Sequence, residues 1–449
     1  MSRSTPSTAA AAADPAPVWS NGELIVLLAV TAFAGVVRMW HLEQWSLSPI
    51  EGESWAAAVS MRGDGWEPVS SLSSRLLQFL LTTGLLPSHG EGWLRLPFAF
   101  VGIVTVPLLA LVGEGLVGRR AALLAAAVLA VHPAHVLWSQ SIGSAGIACA
   151  VTVLGVGLCQ WLPPRLRWLG LVSIAAGFAT APWAGDDGAL ITGLRPALLA
   201  VAAAGAWSWR EAGRAAAGAP PERRLLPWVA FVPVLLLSLL GLVWNVAWGA
   251  AAAALPALVW FAGYGLRVWT RRLYEAVLRW QPDALPWAAA VPAGLLGALL
   301  FADAGIATLL GATVHGGHRA DARGAAAFVL RAAATGASEV RAGELLPSLA
   351  YYLQSSSLEL QSYSLGSARP TPPRDGDAPV AGLRLVPLPL PGVDGTGAVG
   401  AAALAQFFVL TAGEVAVRPV DPHLELLQVF APPPGPRDRT VLVWRRRSE

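Results

Sequence analysis

The sequence predicts an α-helical polytopic membrane protein with a small C-terminal α/β domain. Three observations carry this. Hydrophobic residues make up 55% of 449 residues against 13% charged; mean hydropathy is +0.54; and apolar stretches long enough to cross a bilayer, about 20 residues each, recur between short arginine- or Gly/Pro-bearing breaks.

Taken in order, residues 1–22 are Ser/Thr/Ala/Pro-rich and lack the basic start of a cleaved leader, so a disordered cytoplasmic tail is expected. Residues 23–312 form the membrane domain, with roughly nine spans expected at Glu23–Trp40, Pro97–Val117, Ala121–Trp138, Ser144–Leu162, Trp168–Ala184, Ala189–Trp209, Leu226–Trp248, Ala250–Val268 and Pro286–Leu310. Many of the 20 tryptophans fall at span ends, as interfacial anchors do. All 31 basic residues are arginine. The clusters at Arg119–Arg120, Arg165–Arg167, Arg210–Arg224 and Arg267–Arg279 alternate with the spans so that all share one side. The positive-inside rule makes that side cytoplasmic, which puts the N-terminus inside an inner (plasma) membrane and the C-terminal domain outside.

The first outer loop, 41–96, contains two short apolar segments, Ser54–Met61 and Arg75–Leu86, which predict helices lying on or re-entering the membrane. From residue 313 to 449 apolar density falls. Helices are expected at Ala320–Ala334, Gly343–Gln354 and Ala398–Leu410, and strands near Glu339–Arg341, Arg384–Pro387, Leu424–Phe430 and Thr440–Trp444.

Composition excludes several functions. The net charge of +3 is explained by loop asymmetry, and no basic stripe with interleaved aromatics points to nucleic acid. No P-loop, dinucleotide fingerprint, zinc spacing or hydrolase elbow is present. Cys149 and Cys159 are ten residues apart in one apolar run and cannot pair within a helix. His132 and His135 stand one helical turn apart, where interfacial packing outweighs metal binding for lack of a third ligand. The absence of an internal repeat argues against a secondary transporter.

The chemistry-bearing residues sit just after the first span. Glu51 and Glu53 are carboxylates beside a membrane-embedded region, suited to activating an acceptor hydroxyl or to holding a divalent cation. The segment Arg38-Met-Trp running into Pro49-Ile-Glu-Gly-Glu53, then Trp93-Leu-Arg-Leu-Pro97 before a span, then His132-Pro133 with Trp138-Ser-Gln140, and an outer domain with Leu349-Ala-Tyr-Tyr-Leu353, occur in that order. Together they resemble the GT-C superfamily of polyprenyl-phosphate-sugar-dependent glycosyltransferases, in particular its aminoarabinose-transferase and protein O-mannosyltransferase branches.

The resemblance implies an inverting transfer of a sugar from a polyprenyl-phosphate donor to a glycan, lipid or protein acceptor on the outer face, in contact with membrane lipid. Glu51 is the expected base and Glu53 a second carboxylate or metal ligand; Arg95 and Arg75 would face the departing phosphate. Gln140, Asp186 and Asp187 would complete the substrate site. The family's catalytic Asp corresponds here to Ile50, and its later Arg and Tyr to Gly143 and Ala145. A catalytically inactive scaffold or lipid-linked glycan binder of the same fold is the alternative.

Overall fold

The computed structural model describes residues 19–40, 42–43, 46–60, 72–86, 90–180, 202–203, 205–210, 250–280, 321–333, 339–343, 345–354, 384–387, 407–412, 415, 424–430 and 440–446. The protein is mostly helical. Four described helices, Asn21–Met39, Glu91–Val117, Ser144–Trp161 and Ala252–Ala276, are long and apolar enough to cross a membrane, and the bent pair Arg119–Val131 with Pro133–Ser139 would make a fifth. The expected spans 226–248 and 286–310, and most of 189–209, lie outside the described residues, so the count of nine is not tested.

α1 (Asn21–Met39) starts in a capping box: Ser20 Oγ accepts from Glu23 N, and the Glu23 carboxylate accepts from Ser20 N. Two surface helices follow, α2 (Pro49–Ser60) and α3 (Leu72–Thr82), where short helices were expected. α4 (Glu91–Val117) returns alongside α1. At the far end Arg119 joins Glu114 (2.7 Å) and Glu23 (3.1 Å), placing the start of α1 beside the end of α4.

The third expected span, drawn as one helix, is broken. α5 (Arg119–Val131) and α6 (Pro133–Ser139) meet at 62°. Pro133 has no N–H, so the Leu129 carbonyl keeps only a long bond from His132 N (3.3 Å) in place of its helical donor, and the bend also strands Ala130. The buried guanidinium of Arg38, from α1, takes their place: Nη2 donates to Leu129 O (3.1 Å) and Nη1 to Ala130 O (3.0 Å). Bare carbonyls are costly where no water reaches. Replacing Arg38 with Met is therefore expected to lower stability by about 2 kcal/mol, read as a lower thermal unfolding temperature in detergent, with Arg38→Lys recovering part of the loss.

α7 (Ser144–Trp161) and α8 (Arg167–Thr180) are joined by a 3-10 turn, and α9 (Ala250–Trp280) packs against α4, α5 and α7. Glycines permit the closest crossings. A Cβ on Gly263 would meet the backbone of Ala121, and one on Gly155 the backbone of Gly170.

The C-terminal part is a five-stranded mixed sheet, β1 (Glu339–Ala342), β2 (Arg384–Pro387), β3 (Phe407–Thr411), β4 (Leu424–Phe430) and β5 (Val441–Arg446), in the order β2-β1-β3-β5-β4. β1 runs parallel to β2 and β3, while β5 is antiparallel to β3 and β4. Helices α10 (Ala322–Ala333) and α11 (Leu346–Gln354) accompany it. One expectation is corrected: the end of the helix expected at Ala398–Leu410 is strand β3, since Phe407-Phe-Val-Leu-Thr411 pairs on both sides and is buried throughout. Residues 398–406 lie outside the described residues.

The sheet and its helices pack on α2, α3 and the start of α4 through a continuous apolar core that includes Trp55, Leu77, Leu94, Phe98, Val329, Leu349, Phe407 and Val443. Polar contacts fix the seam. Leu47 N donates to Tyr352 Oη (2.7 Å), Gly90 N to Tyr351 Oη (3.0 Å), and Arg323 pairs with Glu91 (2.6 Å). Burial pushes the Tyr351 phenol up to about 12 and the Tyr352 phenol higher still, so both remain neutral in this seam.

Candidate functional site

α2 carries the acidic segment and aims three consecutive residues in three directions, as 100° per residue requires. Glu51 points into the protein, Gly52 towards α11 and Glu53 to solvent. The helix begins with Ser48-Pro-Ile-Glu51, which forms a capping box: Ser48 N donates to Glu51 Oε2 (2.9 Å) and Glu51 N to Ser48 Oγ (3.3 Å). Pro49 sits at its first position, where a missing N–H costs nothing.

The Glu51 carboxylate, 1% exposed, accepts three further hydrogen bonds. Arg95 grips it bidentately, Nε to Oε1 at 2.9 Å and Nη2 to Oε2 at 2.8 Å, and Ile142 N donates to Oε1 at 3.0 Å. Arg95 is equally committed: Nη1 donates to Leu42 O (2.8 Å) and Nη2 to Ser46 O (3.1 Å). The two residues expected as base and as phosphate ligand therefore hold one another, and together they tie the loop after α1, the first turn of α2, the start of α4 and the turn after α6. Both carboxylate oxygens of Glu51 thus accept hydrogen bonds from the protein itself.

Glu53 differs. Its side chain is exposed, and it makes no hydrogen bond or ion pair among the described residues. The protein around it still pushes the carboxyl above the usual range by burial. Between the two, Gly52 lets α2 approach α11: an added Cβ would lie 2.6 Å from the backbone of Pro347 and Ser348. The acidic segment is thus anchored on one side by Arg95 and on another by α11.

The other expected site residues divide as follows. Gln140 Nε2 donates to Val37 O and Trp40 O, both 3.0 Å, closing the last carbonyls of α1, so its amide is spent on a helix end. Arg75 is exposed on α3. Asp186 and Asp187 lie outside the described residues. His135 Nδ1 accepts from Arg38 Nη2 at 2.6 Å, which leaves its ring proton on Nε2. Among the described residues no three His, Cys, Asp or Glu side chains gather as a metal site.

Sequence reasoning missed Arg38, Tyr351 and Tyr352 as parts of this scaffold. The signals were present: a basic residue inside the end of an apolar span, opposite a His-Pro break, and paired tyrosines on an otherwise apolar helix.

No protein-family model matches this chain, and no curated protein matches it. Among solved structures it is similar to ArnT from Cupriavidus metallidurans in the apo state, at 15% identity and a TM-score of 0.45 over 94% of this chain and 97% of that one. It is likewise similar to the structure of that protein bound to undecaprenyl phosphate, at 14% identity and a TM-score of 0.46 over 95% of this chain and 98% of that one. The likeness is distant.

Proposed function

We propose that the protein is a membrane glycosyltransferase that moves a sugar from a polyprenyl-phosphate donor to an acceptor hydroxyl on the face bearing α2, with inversion at the anomeric carbon, and that Glu53 is its base. The observation that carries the reading is the split of the acidic segment: one carboxylate is consumed in a buried clamp while its neighbour two residues on stands free at the surface of the membrane body. The ordered motifs around Arg38, Glu51, Arg95 and Gln140 support the superfamily assignment.

In such a transfer the acceptor oxygen attacks the anomeric carbon, its proton passes to the base, and the C–O bond to the polyprenyl phosphate breaks with both electrons leaving on phosphate. In this reading Glu53 takes that proton. Arg75, on the adjacent α3, is in this reading the residue that meets the phosphate. A divalent cation at Glu53 remains a second role for the same carboxylate.

The replacement of the family's Asp by Ile50 favours one other reading, a lipid-linked glycan binder without turnover. Purified full-length protein incubated with a polyprenyl-phosphate sugar and a panel of lipid and glycan acceptors distinguishes the two. Release of polyprenyl phosphate with stoichiometric acceptor glycosylation is expected. Saturable donor binding without release would replace the transferase with the binder, and absence of binding would remove both.

A further inference from the structure

The acidic segment has a second hold, separate from the Arg95 clamp, and it comes from α11. α2 is 12 residues long, a length at which an isolated helix is marginal in water, so its direction is set by what it packs on. The clamp grips the helix at Glu51, and a helix held at one point can still pivot. α11 supplies further points. Gly52 lies against the backbone of Pro347 and Ser348. Trp55, one turn further on, meets the Tyr351 ring edge-on, with centroids 5.1 Å apart and planes at 87°. Tyr351 packs edge-on against Tyr352 in turn, at 5.0 Å.

Neighbouring residues on a helix point about 100° apart, and α11 uses this to reach two helix starts. Tyr351 Oη accepts from Gly90 N, directly before α4, and Tyr352 Oη accepts from Leu47 N, two residues before α2. Tyr352 is also hydrogen-bonded to the carboxylate of Glu91, the first residue of α4, which pairs with Arg323. An ionised carboxylate only accepts, so the phenol proton goes to Glu91 while the phenol oxygen receives the Leu47 N–H. One hydroxyl thereby ties the entrance of α2 to the start of α4, one turn before the Arg95 that grips Glu51. Leu47 is buried, so its N–H has no water to turn to when that hydroxyl is removed.

From this arrangement we infer that Tyr352 is a positioning residue for Glu53: its hydroxyl fixes the entrance of α2 and so the direction in which that helix carries the carboxylate. The inference rests on the reading of Glu53 as the base. Glu53 stands four residues after Pro49, about 6 Å along the helix. A general base works only within about 2.6–3.2 Å of the proton it takes, and an error of about 1 Å can cost ~10²-fold in rate. A pivot at the entrance therefore takes the carboxylate out of reach while leaving Arg75, on α3, in place.

The test compares the full-length protein with Tyr352→Phe in detergent, since Phe keeps the ring and removes the hydroxyl. Three quantities are read: amide hydrogen exchange by mass spectrometry, affinity for a polyprenyl-phosphate sugar, and the single-turnover rate of transfer. Exchange over residues 47–60 is expected to rise about tenfold, with β3 and β5 unchanged. Transfer is expected to fall roughly 10²-fold at unaltered donor affinity, a split that general loss of structure does not produce. Unchanged exchange over 47–60, or a rise shared equally by β3 and β5, overturns the inference, and so does faster local exchange with undiminished transfer. Gly52→Ala drives a Cβ into the α11 backbone and is expected to give the same split through a different contact; it decides alone should Tyr352→Phe not fold. If the unaltered protein shows no turnover, the transferase reading fails by itself, and the exchange pattern decides whether Tyr352 sets the direction of α2.

Discussion

Glu51→Gln is expected to destabilise the protein by about 3–5 kcal/mol, the cost of stranding one partner of a buried ion pair. The magnitude follows from what the carboxylate holds. Both it and Arg95 are 1% exposed, and the guanidinium keeps its charge in every accessible pH range. A Gln side chain turns one acceptor into a donor facing Arg95, so in either orientation the guanidinium loses a partner, together with the Ile142 N–H or the Ser48 N–H. Arg95→Met should cost a similar amount by leaving Glu51 and the carbonyls of Leu42 and Ser46 unmatched. The double variant should lose less than the sum of the singles, by about 0.5–3 kcal/mol, because the two substitutions remove one shared interaction. Thermal unfolding in detergent, followed by tryptophan fluorescence, reads all three. Unchanged unfolding in both single variants would show that the clamp does not hold α2 to α4.

The same clamp shows what the sequence made legible and what it did not. Apolar runs of sufficient length gave the described spans, because a bilayer imposes length and composition directly. The break at His132-Pro133 was present as a dipeptide, but the 62° bend depends on Arg38, which stands over ninety residues earlier in the chain. Strand β3 was hidden by the alanine-rich segment before it: local propensity favoured a helix, and pairing with β1 and β5 decided otherwise.

Read as a loop, the segment of Glu51 and Glu53 gives no physical ground for facing the two carboxylates differently. Ser48-Pro-Ile-Glu51 is itself a helix-start signature, with Pro at the first position and Glu at the third, and it would have separated the two. Once the segment is helical, residues two apart point about 200° from each other. One carboxylate must then face the protein if the other faces water. Which one is buried was fixed by Arg95, whose Leu-Arg-Leu-Pro setting reads equally well as a phosphate ligand until its partner is seen.

Glu53→Gln is expected to behave in the opposite way to Glu51→Gln. Loss of a general base lowers transfer roughly 10²–10⁴-fold, whereas the fold should keep its unfolding temperature or gain slightly. The sign follows from the raised carboxyl. A group whose folded pKa lies above its unfolded value binds more protons in the folded state, so its ionised form costs stability once pH rises past the unfolded value; a neutral amide escapes that cost. For activity, the base must be deprotonated, so the rate of the unaltered protein should climb with pH through a midpoint above the ordinary glutamate value of about 4.3 and then level off. In Glu53→Gln that limb should disappear while donor binding persists, since the amide keeps the size of the side chain and Arg75 is untouched. A rate–pH profile with donor binding measured alongside separates this from a structural defect, because misfolding would take away binding as well as the limb. Full activity with an unaltered acid limb would take the proton-accepting role from Glu53, and with it the exposed half of the acidic segment as the reacting carboxylate.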